Sequence, residues 1–224
     1  MSSSILISYD GTANDDDALA LGRMLSRGGA TMALAYVRHS REFDSQREEL
    51  AQHDAERRLE QGSSWLGDES IPRHVVVHPS TWEGLAQLAE LERASLIVFG
   101  SDYRTSPGHV APGTTAQHLL EGGPVAIAVA PAGLRAEPDA RFTSVSVIPP
   151  DAENGALQTA ANLAQKLGTS VTDQAPGGSS SLLVVASAPG AGAGRLRLSG
   201  TARNRLSSAR CPMLFLPAKT RIDL

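Results

Sequence analysis

Short runs of branched apolar residues alternate with stretches of helical period along this chain, and that alternation is its strongest constraint on folding. The runs are Ser4–Tyr9, Ala30–Val37, Arg73–His78, Leu96–Ser101 and Pro124–Pro131. Each is too short for a typical helix and rich in Val, Ile or Ala, which reads as a strand. Between the first two, Ala18, Leu21, Met24 and Leu25 recur at helical spacing behind the acidic turn Asp15-Asp16-Asp17. Carboxylates there suit the exposed N–H groups and the dipole of a helix start. Residues 45–66 read as an exposed helix, with Leu50 and Leu59 among charges. Ser80-Thr81-Trp82-Glu83 has the form of a capping box and opens the next helix. A short helix is expected from Thr114.

Strands apolar along their whole length are buried on both faces, the mark of a parallel sheet assembled from βαβ units. The expected fold class is therefore α/β, an open, mostly parallel, five-stranded Rossmann-like sheet over residues 1–133. Residues 134–140, rich in Ala, Pro and charge, read as a linker. Residues 141–218 read as a truncated second copy, and 219–224 as a tail. In that copy Thr143–Ile148 is a first strand, Ala156 to Leu167 a helix, and Ser181–Ser187 a counterpart of Leu96–Ser101. Gly200–Arg210 and Pro212–Pro217 repeat the short helix and last strand. Asp10 to Gly100 spans 90 positions, whereas Asp151 to Ala186 spans 35, so the middle of the unit is missing.

Composition narrows the function classes. The 224 residues are 41% hydrophobic and 20% charged, with a net charge of −4. That balance is globular and argues against a nucleic-acid partner. One cysteine excludes an intrachain disulfide. No apolar run approaches the ~20 residues of a membrane span. The first residues lack the basic and apolar regions of a signal peptide. A cytoplasmic protein without a membrane partner is expected.

Chemistry concentrates after the fourth strand, in Gly100-Ser101-Asp102-Tyr103 and, past a loop, Gly113-Thr114-Thr115. Glycine at the carboxyl end of a parallel strand lets backbone approach a ligand, and Gly-Thr-Thr entering a helix offers N–H and hydroxyl groups to an anion. The same glycines would also serve a tight loop with no ligand, and the residues leave both readings open. Asp15, Asp16 and Asp17 read as helix-start charge, with Mg²⁺ coordination the lesser alternative. His74 and His78 read as structural, and Cys211 as a small packed residue. No nucleophilic triad can be built around Ser101.

Three segments together resemble the universal stress protein family in its tandem form. They are Ile-Leu-Ile-Ser-Tyr-Asp-Gly from Ile5, Leu-Ile-Val-Phe-Gly-Ser from Leu96, and Gly113-Thr-Thr-Ala-Gln-His-Leu-Leu-Glu-Gly-Gly-Pro-Val-Ala-Ile-Ala-Val-Ala-Pro131. ATP-binding members of that family look like Gly-x2-Gly-x9-Gly-Ser/Thr. Here the pattern reads Gly100-x2-Tyr103-x9-Gly113-Thr114, with tyrosine in place of the second glycine. The resemblance implies an adenine nucleotide alpha hydrolase-like fold and a bound ATP or related adenine nucleotide, with or without Mg²⁺. It implies a nucleotide site of Asp10, Gly11, Thr12, Val37, Gly100, Ser101, Tyr103, Gly113, Thr114 and Thr115. Asp10 would meet the nucleoside, and Val37 the adenine through its main chain. It further implies a stress-response binding or signalling module, with slow ATP hydrolysis at most and no catalytic residue evident. The alternative is a scaffold of the same fold that has lost its nucleotide. Tyr103 would be strained if the loop kept the family's path, so the loop is expected to take a different one. The two copies are expected to pack about a pseudo-twofold axis, using the fifth strands Val125–Ala130 and Met213–Leu216 or the faces next to them, and a homodimer of the chain is a further possibility. In the second copy one register puts Ala186, Pro189 and Ser199 at the glycine positions; a shift by one would use Ser187, Gly190 and Gly200.

Overall fold

The computed structural model describes residues 4–40, 42–148, 155–174 and 177–224. The expected βαβ order is present. It runs β1 (Ser4–Ser8), α1 (Ala13–Ser26), β2 (Thr31–Arg38), α2 (Ser45–Leu66), β3 (Arg73–Val77), α3 (Thr81–Leu91), β4 (Ala94–Phe99), α4 (Thr114–Leu120) and β5 (Ala126–Val129). Local chemistry sets several boundaries. Asp44 accepts from the N–H groups of Gln46 and Arg47 to start α2, and Gly67, at φ 74°, ends it in the left-handed region. Ser80 accepts from the Glu83 N–H and starts α3.

The second half contributes β6 (Ser144–Ile148), α5 (Gly155–Leu167), β7 (Ser170–Val171), β8 (Ser181–Ala186), α6 (Gly200–Ser208) and β9 (Met213–Leu216). Asp151 and the prolines before it lie outside the described residues. All strands join one nine-stranded sheet in the order β3-β2-β1-β4-β5-β9-β8-β6-β7. Every pairing is parallel except β5 with β9, where Ile127, Ala128 and Val129 face Phe215, Leu214 and Met213. An antiparallel seam between two parallel halves is what a twofold relation through the fifth strands requires. Among the described residues the second half has no counterpart of α2, β3 or α3.

The hydrogen bonds of the two halves repeat at a spacing of 86 residues. The Ser101 hydroxyl donates to the Ala130 carbonyl at 2.6 Å, and the Ser187 hydroxyl to the Leu216 carbonyl at 2.8 Å. Val110 N–H donates to Ala209 across the seam at 3.2 Å, and Leu196 N–H donates back to Gly123 at 2.9 Å. Gly133, at φ 89°, corresponds to Lys219, which adopts φ 63° without being glycine. The match selects the first of the two registers. Ala186 stands at the Gly100 position, and Ser199 stands at the Gly113 position, where its side chain caps α6 through Ala202 N–H.

Two apolar layers cover the sheet. One gathers α1, α2 and α5 around Ile5, Ile7, Leu25, Leu59 and Leu163; the other gathers α3, α4 and α6 around Leu85, Ile97, Leu119 and Phe215. The segments read from sequence as linker and tail are packed parts of this body. Leu134, Ile222 and Leu224 are buried. Ile222 N–H donates to the Thr159 hydroxyl, and Lys166 pairs with Asp223. Asp17, fully buried, fastens the connection between the halves. It accepts from Gly133 N–H at 2.9 Å, from Arg135 N–H at 2.8 Å and from the Arg135 guanidinium at 2.9 Å. Removing one partner of a buried charged group leaves the others desolvated and unpaired. Asp17→Ala is expected to cost about 3 kcal/mol of stability. Urea unfolding checks this, and a change below about 1 kcal/mol would show that the clamp contributes little.

Candidate functional site

In an open α/β sheet the crevice lies beyond the carboxyl ends of the strands. A cleft of about 470 Å³ opens there in the first half, between the ends of β1, β2 and β4 and the starts of α1, α3 and α4. Asp10, Thr12, Val37, Gly100, Ser101, Tyr103, Gly113, Thr114 and Thr115 line it. Of the residues implied by the resemblance, Gly11 alone is not in the lining. It turns the chain at φ 87°, beside the Arg58 side chain. That turn lets the Asp10 carboxylate accept from Thr12 N–H at 2.9 Å.

The two key glycines serve different ends. A Cβ on Gly100 would stand 2.0 Å from the Asn14 carbonyl oxygen, so this glycine is required by the close approach of α1 to the end of β4. Gly113 has ordinary extended angles, φ −68° and ψ 171°, and a Cβ there would meet no atom within 4 Å. The fold itself makes no demand for glycine at 113.

Tyr103 sits on the rim, 70% exposed. Its hydroxyl accepts from Arg104 Nε at 2.7 Å, and the Arg104 guanidinium lies 4.9 Å from its ring centroid. The backbone at Tyr103 is not in the left-handed region. Among the described residues only Arg93 and Lys219 combine a side chain with positive φ. The second half explains why: Pro189 occupies the corresponding position in a loop with the same hydrogen bonds, and proline fixes φ near −65°.

The three aspartates of α1 diverge. Asp17 holds Arg135, Asp16 accepts from the Tyr9 hydroxyl at 3.2 Å, and Asp15 accepts from Asp10 N–H at 2.5 Å. Among the described residues no group of three or more His, Cys, Asp or Glu could hold a metal ion. Burial, and then its hydrogen bond with the Asp10 carboxylate, push the Asp15 carboxyl up to about 9. Burial and the neighbouring Asp16 carboxylate likewise raise the Tyr9 phenol well above its usual value.

The cleft also holds residues that sequence reading passed over: Asn14, Asp15, Tyr36, His39, Arg58 and Thr81. Tyr36, His39 and Thr81 sit at or just past strand ends, where the open-sheet rule could have found them. Arg58 carries no such signal, being one charge among many on α2. It donates to the Asp10 carbonyl at 2.8 Å, with its guanidinium 5.7 Å from the Tyr36 ring centroid. Arg38, buried at the end of β2, binds Glu48 at 2.7 Å and Gln52 at 3.1 Å, which ties this wall to α2. His74 and His78 lie outside the cleft, near Glu92, which caps the end of α3, and Glu83 in its first turn. Cys211 is buried, its thiol pushed up to about 12.

A sequence profile of the universal stress protein family matches residues 1–131, more than half of the chain. This chain belongs to the universal stress protein family. No curated protein sequence matches it significantly. Solved structures of similar fold include a universal stress protein from Archaeoglobus fulgidus DSM 4304, at 13% identity and a TM-score of 0.60, covering 97% of this chain and 99% of that one. A protein of unknown function from Pseudomonas aeruginosa PAO1 gives 14% identity and a TM-score of 0.61, covering 96% and 93%. A putative universal stress protein from Pseudomonas aeruginosa UCBPP-PA14 gives 15% and 0.59 over the same shares. At these identities the likeness is one of fold, and it extends over both halves of this universal stress protein.

Two stability outcomes follow from the site geometry. Gly100→Ala, forced against the Asn14 carbonyl, is expected to lose about 1–3 kcal/mol in urea unfolding; an unchanged midpoint would contradict the contact. Asp15, ordinarily near 3.8, keeps its proton in the folded state up to about 9. Between those values the unfolded chain releases a proton that the folded chain retains, so stability falls as pH rises. Asp15→Asn, which cannot ionise, is expected to flatten the dependence of Tm on pH between 5 and 8; an equal slope in both proteins would contradict the raised value.

Proposed function

We propose that this universal stress protein binds ATP or a related adenine nucleotide in the cleft of its first half, as a cytoplasmic binding or signalling module in the stress response. The observation that carries the reading is Gly113. It lacks a side chain where neither backbone angles nor protein neighbours ask for that, and it faces the cleft beside Thr114 and Thr115. A volume of about 470 Å³ lies within the ordinary range of small-molecule sites, about 300–1,000 Å³. No helix among the described residues is long and apolar enough to cross a membrane.

The residues present fit such a ligand. Val37 offers main-chain groups to a base, and Asp10 offers a carboxylate to ribose hydroxyls. The N–H groups and hydroxyls at Gly113, Thr114 and Thr115 offer donors to phosphate oxygens. Arg58 supplies positive charge to the cleft, and His39 lines it as well. Tyr103 and Arg104 favour a second reading, because their stacked pair stands where family members have glycine. In that reading the fold is a scaffold that works through protein contacts.

Isothermal titration separates the two. Wild type is expected to bind ATP, and Gly113→Val to bind it at least tenfold more weakly, about 1.4 kcal/mol, with its unfolding midpoint nearly unchanged. Equal affinity in both proteins would remove Gly113 from the phosphate site. Absence of ATP binding by wild type, with binding gained by Tyr103→Gly, would favour the scaffold.

A further inference from the structure

Residues 181–224 carry the opposite charge to the rest of the chain. They hold six arginines and one lysine against a single acid, Asp223, for a net charge of +6 within a total of −4. Asp223 pairs with Lys166 of α5. Arg195, Arg197, Arg203, Arg205 and Arg210 are all exposed. The first three line one cleft of about 400 Å³, together with Gly190, Gly192 and Glu121, its one carboxylate among the described residues. Arg203 and Arg205 stand about 200° apart around α6, so the helix divides the arginines into two groups. On its other side Arg205 and Arg210 line a second cleft, of about 460 Å³, where Asp173 is the one carboxylate among the described residues.

Most of the donors in these clefts are unspent. A guanidinium carries five N–H donors in a planar fork that matches the oxygens of a phosphate. Arg195 gives one to the Gly122 carbonyl at 3.2 Å, and Arg203 reaches Glu121 only at 3.4 Å. The side chains of Arg197, Arg205 and Arg210 bond no described residue, and neither do the N–H groups of Gly190 and Gly192. Every exposed large hydrophobic among the described residues lies outside 181–224. The surface around α6 therefore lacks the apolar anchors of a protein interface and the aromatic rings on which the bases of a single strand stack. What it offers is arginine charge and free N–H groups alone.

We propose that the second half binds inorganic polyphosphate: the chain of phosphates enters the cleft of Arg195, Arg197 and Arg203 and crosses α6 to Arg205 and Arg210. This site shares no residue with the cleft of the first half and does not rest on the adenine-nucleotide reading. A linear chain with a charge on every unit needs neither apolar contact nor base stacking, only fixed cations along its path. A triphosphate is too short to engage both clefts, so affinity per phosphate grows with chain length.

The test is calorimetric titration of the full chain with long-chain inorganic polyphosphate, tripolyphosphate, polyuridylate and polyglutamate. Wild type is expected to bind polyphosphate, and to bind it at least tenfold more weakly when salt rises from about 50 to about 200 mM, as counterion release from three or more phosphates requires. Tripolyphosphate is expected to bind at least tenfold more weakly per phosphate. The decisive variant joins Arg197→Glu and Arg205→Glu, two side chains that bond nothing in the fold, with circular dichroism and the urea midpoint checking that it folds. It is expected to lose at least tenfold in polyphosphate affinity. A control joins Arg47→Glu and Arg57→Glu on the exposed face of α2, with the same change in net charge. The control is expected to stay within twofold of wild type. An equal loss in both variants would show that binding follows net charge, and would overturn the site. Equal affinity per phosphate for tripolyphosphate would overturn the path across α6. Tighter binding of polyuridylate or polyglutamate than of polyphosphate, or no polyphosphate binding at low salt, would overturn the proposal outright.

Discussion

The antiparallel seam between β5 and β9 is the interaction on which the rest of the molecule depends. Three facing pairs, Ile127 with Phe215, Ala128 with Leu214 and Val129 with Met213, turn two parallel sheets into one. The pairing covers an edge that each half would otherwise expose, and open edges invite unwanted strand addition. It also brings each half's loop against the other's short helix, giving the reciprocal bonds from Val110 to Ala209 and from Leu196 to Gly123. The loop that forms one wall of the cleft is therefore braced from the opposite half. A second copy too short to build a full unit still completes the sheet and steadies the first.

That division of labour explains how differently the two halves have kept the same loop. At the first loop's end Gly113 is bare and faces the cleft; at the second, Ser199 fills the position and caps its own helix. At the strand end Gly100 makes room for the Asn14 carbonyl, whereas Ala186 carries a Cβ. The second half has no described counterpart of α2, β3 or α3, the elements that bring Arg58 and Thr81 to the first cleft. Its basic side chains serve the seam instead: Arg195 donates to the Gly122 carbonyl at the end of α4, and Arg203 reaches Glu121 at 3.4 Å. Cations suit a helix C-terminus, where carbonyls are unpaired.

Much of this was legible in the sequence because periodicity and turn chemistry are local. The residues 45–66 read as a helix are those of α2, and the capping serine of α3 was visible in four letters. What escaped was set by contacts distant in sequence. Nothing near Asp17 announces that it holds Arg135, 118 residues away. The glycines of the loop could be found but not ranked: only the Asn14 carbonyl beside Gly100 and the open space beside Gly113 separate a packing glycine from a candidate ligand glycine. Arg58 could not be told from other charges on α2 until the fold turned it toward Asp10. Tyr103 looked like a steric fault when matched with a glycine, and the proline at the corresponding position of the second loop removes that objection.

Under the proposed function, one half of this universal stress protein holds an adenine nucleotide and the other half braces it. Backbone amide shifts of the full chain, followed by nuclear magnetic resonance during addition of ATP, test it most directly. Saturable shifts are expected at Asp10, Val37, Gly113, Thr114 and Thr115, with Ser187 to Thr201 unaffected beyond the seam contacts. Shifts centred on Ser187 to Thr201, or none anywhere at millimolar ATP, would contradict it.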